Sequence, residues 1–191
     1  NLTMMPTVFG GEWVDEAHWF LLRELQFYLF VIIVMSLGLG KRLPQIFPIW
    51  AIILCIWNLA ELPQFKIWYF SGYFALLSGG AIIYCIGQWG WNLLRTIGLI
   101  AAYICAVDTR MSKSISLETR RNTEYSQLTV AIIVTLLFLL LLLTLSSRVT
   151  SIQVKWAGIA GAITYPLFLI HGRLGLLTIQ NLGTESNKYY L

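Results

Sequence analysis

The chain has 191 residues, of which 58% are hydrophobic and only 12% charged, with a mean hydropathy of +0.72 and a formal net charge of +4. A soluble domain of this size needs about twice as many charged side chains to cover its surface. These values exclude an ordinary water-solvated globule and predict an integral membrane protein, an all-α polytopic bundle of about six transmembrane helices.

Spans are predicted at 19–40, 45–62, 67–87, 91–107, 128–147 and 156–180. Each has the roughly 20 apolar residues that a helix needs to cross about 30 Å of hydrocarbon. Barrel strands are excluded, because they would be shorter and would alternate in polarity. Residues 1–17 are mixed, with Pro6, the Gly10-Gly11 turn pair and the acids Glu12, Asp15 and Glu16 ahead of the first helix. Trp13 and Trp19 are placed as interfacial anchors. The first span ends at Gly38-Leu39-Gly40, followed by Lys41-Arg42, and Pro44 and Pro48 mark the start of the second. Asn58 with Glu61, and Asn92 with Arg95, read as interfacial polar residues near span ends. Gly87-Gln88-Trp89-Gly90 predicts a tight hairpin between the third and fourth spans.

Residues 108–127 carry Asp108, Arg110, Lys113, Glu118, Arg120, Arg121 and Glu124, and predict one long solvated loop, with an interfacial helical turn as the alternative within it. Leu128 to Leu145 holds no charge, Gly or Pro, and is apolar all round, as a lipid-facing helix would be. Ala157, Gly158, Gly161 and Ala162 give spacing-four pairs of small residues that let helices approach closely. Residues 183–191 form a polar C-terminal tail. The chain starts with Asn1 rather than Met and carries no signal peptide, which reads as excision from something longer.

The basic residues are spread over loops and helix ends, so nucleic acid is not an expected partner, and the lipid bilayer is. If every span crosses, Lys41, Arg42, Arg148 and Lys155 fall on one side, and Arg110, Lys113, Arg120 and Arg121 on the other. The positive-inside rule then gives a near tie. Cys55, Cys85 and Cys105 sit in three different spans, outside any C-x-x-C pair, and read as buried small hydrophobes. Two distant histidines in no ligand motif argue against a metal site.

Two stretches break the apolar pattern. In Trp19-Phe20-Leu21-Leu22-Arg23-Glu24-Leu25-Gln26-Phe27-Tyr28, Arg23 and Glu24 lie about one turn inside the first span. Their side chains diverge by about 100° on a helix, so each needs its own partner. Glu24 and Tyr28 share a face at spacing four, within reach of a phenol–carboxylate hydrogen bond. The plain alternative is an interfacial ion pair snorkelling to headgroups. In Gly161-Ala162-Ile163-Thr164-Tyr165-Pro166-Leu167-Phe168-Leu169-Ile170-His171-Gly172-Arg173, Pro166 predicts a helix break of the kind tolerated beside a buried cavity. Thr164, Phe168 and His171 share a face, and His171 titrates in the range that suits a general base. Equally, a lone histidine near a helix end is often an interfacial hydrogen-bonder.

These two stretches resemble the signatures of the membrane-bound acyltransferase family 3, which includes O-antigen, exopolysaccharide and nodulation-factor acyltransferases. The first is similar to W-x-L-x-x-E-x-x-F-Y, the second to the last-helix motif G-x-x-[ST]-Y-x-L-[YF]-L-x-H, and the resemblance runs from residue 1 to about 182. It implies a partial acyltransferase-like domain over 1–182, in a bacterial inner membrane, lacking the family's N-terminal helices. Those helices carry an Arg or Lys followed by a His, so the chain alone is expected to be inactive. The implied activity is transfer of an acyl group, often acetyl, from acyl-CoA to a hydroxyl of a glycan or lipid-linked sugar. Acyl-CoA is then a donor substrate, and no permanently bound cofactor is expected. On this resemblance Glu24 and His171 are the candidate catalytic residues, and Trp19, Arg23, Tyr28, Tyr165 and Arg173 line the substrate site. Glu16, His18 and Gly172-Arg173 depart from the pattern. A transporter or flippase-like module and a non-catalytic membrane scaffold remain open as alternatives.

Overall fold

A computed structural model describes residues 18–60, 72–121, 126–152, 155–164, 166–167 and 181, with side chains except those of 18, 19, 117, 119–121 and 150. Every regular element among the described residues is helical. They are α1 (His18–Ser36), a 3₁₀ turn (Gly40–Arg42), α2 (Leu43–Leu59), α3 (Tyr73–Trp89), α4 (Leu93–Arg121), α5 (Gln127–Leu143) and the single turn α6 (Ser147–Thr150). Residues 157–164 are also helical. The chain divides into two compact units, Asn1–Leu25 with Gln153–Leu191, and Gln26–Ile152.

Local chemistry sets several boundaries. At the end of α1, Gly38 takes φ +73° in a turn where the Leu37 N–H donates to the Ile33 carbonyl. Gly90 ends α3 at φ +74°, where a Cβ would be strained, and its N–H donates to the Ile86 carbonyl at 2.8 Å. Ser126 caps α5, its hydroxyl accepting from the Thr129 N–H at 3.3 Å. Pro44 sits in the first turn of α2, where its missing N–H removes no helical bond. Pro48 lies inside α2 and has no hydrogen to give to the carbonyl of Pro44.

The predicted long loop is not a loop over most of its length. Helix α4 continues through Asp108, Arg110 and Lys113 to Arg121, 29 residues or about 44 Å. Its second half is amphipathic, with Ser114 buried, Met111 half-buried, and Ser112 and Lys113 exposed. A helix can therefore carry these charges, because only one of its sides is packed.

Within residues 26–152, α4 is the central element and packs on α2, α3 and α5, while α2 also packs on α3. The core joins Phe47, Trp50, Leu54, Phe74, Ile82, Ile86, Leu99, Cys105, Val134 and Phe138. An aromatic seam ties it to α1: the Trp50 ring lies 4.6 Å from Phe30, 6.2 Å from Phe27 and 5.5 Å from Phe74. Small residues let the axes approach. A Cβ on Gly98 would stand 2.6 Å from the Pro48 Cα, and one on Gly79 would stand 3.0 Å from the Phe138 ring.

By length and composition, one described helical stretch suffices to cross a bilayer, Gly40–Leu59. Helices α3 and α5 are apolar with 17 residues each, about 26 Å long. The outer faces are apolar: Leu29, Ile32, Ile33 and Met35 on α1, Ile49, Ile53 and Ile56 on α2, and Leu136, Leu137, Leu139 and Leu140 on α5 are all exposed.

Candidate functional site

The register of α2 and α4 brings polar side chains together. The two helices run in the same direction, with Gly98 against Pro48 and the Cys105 thiol donating to the Leu54 carbonyl at 3.8 Å. One turn further on, the Asn58 side-chain amide donates to Asp108 Oδ2 at 2.7 Å and approaches Thr109 Oγ1 at 3.4 Å. Helix α3 enters at the same level. Gly72 lies so close to Thr109 that a Cβ there would overlap its hydroxyl. The Arg110 guanidinium lies over the Tyr73 ring, 4.8 Å from the centroid. Burial pulls the Arg110 pKa below its ordinary value, and Tyr73 opposes that shift.

Asn58 is therefore not simply an interfacial residue, as its position at a span end implied. It is half-buried and holds a carboxylate 50 residues away in sequence. Asp108 has no cation partner among the described residues. A carboxylate held by a neutral amide keeps an oriented acceptor oxygen. That arrangement suits binding of a proton, a cationic group or a hydroxyl.

A second polar site closes the α3–α4 hairpin. The Asn92 side chain accepts from the Arg95 N–H at 2.8 Å, and the Arg95 guanidinium returns to α3, where Nη1 donates to the carbonyls of Trp89 at 3.0 Å and Gly90 at 2.6 Å. Arg95 is 9% exposed, and its Nε finds no acceptor among the described residues. A cation at the C-terminal end of a helix is favourably placed against the helix dipole. The two residues near the span ends are thus joined in one hydrogen-bonded hairpin.

The residues singled out in the sequence divide by location. Arg23 and Glu24 lie on α1 and are half-buried, one turn inside the helix as expected. Tyr28 shares the Glu24 face but makes no hydrogen bond to it. Its ring is 58% exposed and stands edge-on to Phe27, with centroids 6.1 Å apart. Trp19 is helical in backbone, and its side chain lies outside the description. Tyr165, His171 and Arg173 lie outside the described residues. Thr164, on the same predicted face as His171, donates to the Ala160 carbonyl at 2.8 Å. Cys55, Cys85 and Cys105 are free and buried, in keeping with small hydrophobes. Among the described residues, no three His, Cys, Asp or Glu side chains gather where they would hold a metal ion.

No protein-family model matches this chain, and neither a curated protein nor a solved structure does.

Proposed function

We propose that this chain is the bilayer-embedded part of an O-acyltransferase, which moves an acyl group, often acetyl, from acyl-CoA to a carbohydrate hydroxyl in a bacterial inner membrane. The observation that carries the reading is the Arg23–Glu24 pair. It lies one turn inside α1, half-buried, in the stretch that resembles a family signature. The rest of the helix turns Leu25, Leu29, Ile32, Ile33 and Met35 outward. Charges amid such neighbours are expensive in hydrocarbon and are retained where they face a wet, functional interior. The apolar outer faces of α1, α2 and α5 support the bilayer, because a water-soluble monomer rarely leaves so large a contiguous apolar surface uncovered.

In the reaction, the sugar hydroxyl oxygen attacks the thioester carbonyl. A C–O bond forms, the C–S bond breaks, and the hydroxyl proton ends on the departing CoA sulfur. A base must take that proton, which contributes about 10²–10⁴-fold. The tetrahedral oxyanion needs donors, each contributing about 10²–10³-fold. The family's Arg/Lys–His pair is not carried by this sequence. Glu24 is assigned the orienting, charge-setting role toward that histidine, with His171 and Tyr165 lining the cavity and Arg173 meeting an anionic group of donor or acceptor. Trp19, Arg23 and Tyr28 flank the acceptor.

The test is Glu24→Gln within the full reading frame, scored by acyl groups on the glycan. Transfer falls about 10²-fold, with the amount of protein in the membrane unchanged. Undiminished transfer removes Glu24 from the mechanism.

A further inference from the structure

One end of the unit formed by residues 26–152 collects cations without acids. Because α2 and α4 run in the same direction with Pro48 level with Gly98, residues 41–42 stand level with 91–92. Helix α3 runs the opposite way, with Gly79 beside Ala102 and Gly72 beside Thr109, which brings Trp89 to that level. Helix α5 also opposes α4, with Tyr103 bonded to Thr135 at 2.8 Å, and Gly87 faces Leu145. Segments 37–42, 87–95 and 144–151 therefore meet at one end. They contain Lys41, Arg42, Arg95 and Arg148, and no Asp or Glu.

Lys41, Arg42 and Arg148 are exposed. Beneath them, among the described residues, the buried Arg95 charge is met by two carbonyls alone, its Nε has no acceptor, and no carboxylate pairs with it. Tyr84, Trp89 and Trp91, on the end of α3 and its connection to α4, lie at this end and are 63%, 58% and 59% exposed. Amphipathic aromatic rings at the rim of an apolar bundle mark the level of a membrane–water interface.

We propose that this end docks on the headgroups of anionic phospholipids in one leaflet. Lys41, Arg42 and Arg148 contact the phosphates, and Arg95 adds positive potential from below. Charge complementarity selects this partner: four positive groups with no counter-charge among the described residues, at the depth set by the aromatic side chains, meet a surface that supplies negative charge. The proposal rests on the bundle's lying in a bilayer and is independent of acyl transfer.

The experiment offers the full chain equal amounts of phosphatidylglycerol and phosphatidylcholine in mixed vesicles, then counts the lipids retained by native mass spectrometry. Phosphatidylglycerol is retained preferentially. The variant Lys41→Gln/Arg42→Gln/Arg148→Gln loses that preference by about fivefold for each charge removed. Charge-keeping swaps at the same positions retain it. Equal retention of both lipids by the unmodified chain overturns the proposal, and so does an undiminished preference in the triple variant. A chain that does not enter the vesicles overturns the bilayer reading, and this proposal with it.

Discussion

At the scale of single residues, contact depends on what a missing or short side chain permits. Gly98 is the sharpest case, because an added methyl would meet the Cα and Cβ of Pro48, atoms that cannot rotate away. Gly98→Ala is expected to destabilise the bundle by about 1–3 kcal/mol. Gly80→Ala is expected to be neutral or better, since a Cβ there meets open space. Unfolding of both variants in detergent by denaturant titration checks the contrast. The Asn58–Asp108 bond makes a second prediction. A double-mutant cycle with Asn58→Leu and Asp108→Leu should give a coupling of about 1 kcal/mol, in the range measured for hydrogen bonds between membrane helices; zero coupling would remove the bond from the account. Neither pairing was legible in the sequence. Asn58 and Asp108 are 50 positions apart, and each alone looks like a polar residue at the end of an apolar run. Only the parallel register of α2 and α4, which no local pattern encodes, makes them neighbours.

At the scale of elements, apolar runs bounded by turn residues placed α2, α5 and the end of α3 within about four residues of their observed positions, while the expected start of the third span, at 67, lies outside the described residues. Pro44, the Gly87–Gly90 hairpin and the leucine-rich run are signals that the backbone must obey locally. Helix α4 was half missed for an equally local reason. Asp108, Arg110 and Lys113 read as the start of a loop, yet charged residues are good enough helix formers once one side is packed. The two sides of α5 give a further prediction. Phe138 is 5% exposed, lodged against Gly79 and edge-on to Tyr103, whereas Leu140 is 59% exposed. Phe138→Ala is expected to cost about 3–5 kcal/mol. Leu140→Ala should change stability little, because the side chain is exposed and leaves no cavity in the core when shortened. The same denaturant titration reads both variants.

At the scale of the whole molecule, composition already pointed to an all-helical, lipid-compatible chain, and every regular element among the described residues is a helix. The proposed acyl-transfer site rests in the sequence on two motifs. One motif lies on α1 with Arg23 and Glu24 half-buried, and the other reaches residues outside the description. The bundle unites the two lines of argument: a small polar interior at Asn58–Asp108, a cationic end at Arg95, and apolar sides on α1, α2 and α5. These features fit the proposal that hydrocarbon covers the sides. Alkaline carbonate washing of membranes from cells that produce the chain tests this most directly. The account predicts that the chain stays with the membrane pellet and needs detergent for release. Recovery in the wash as a monodisperse, folded protein would contradict it.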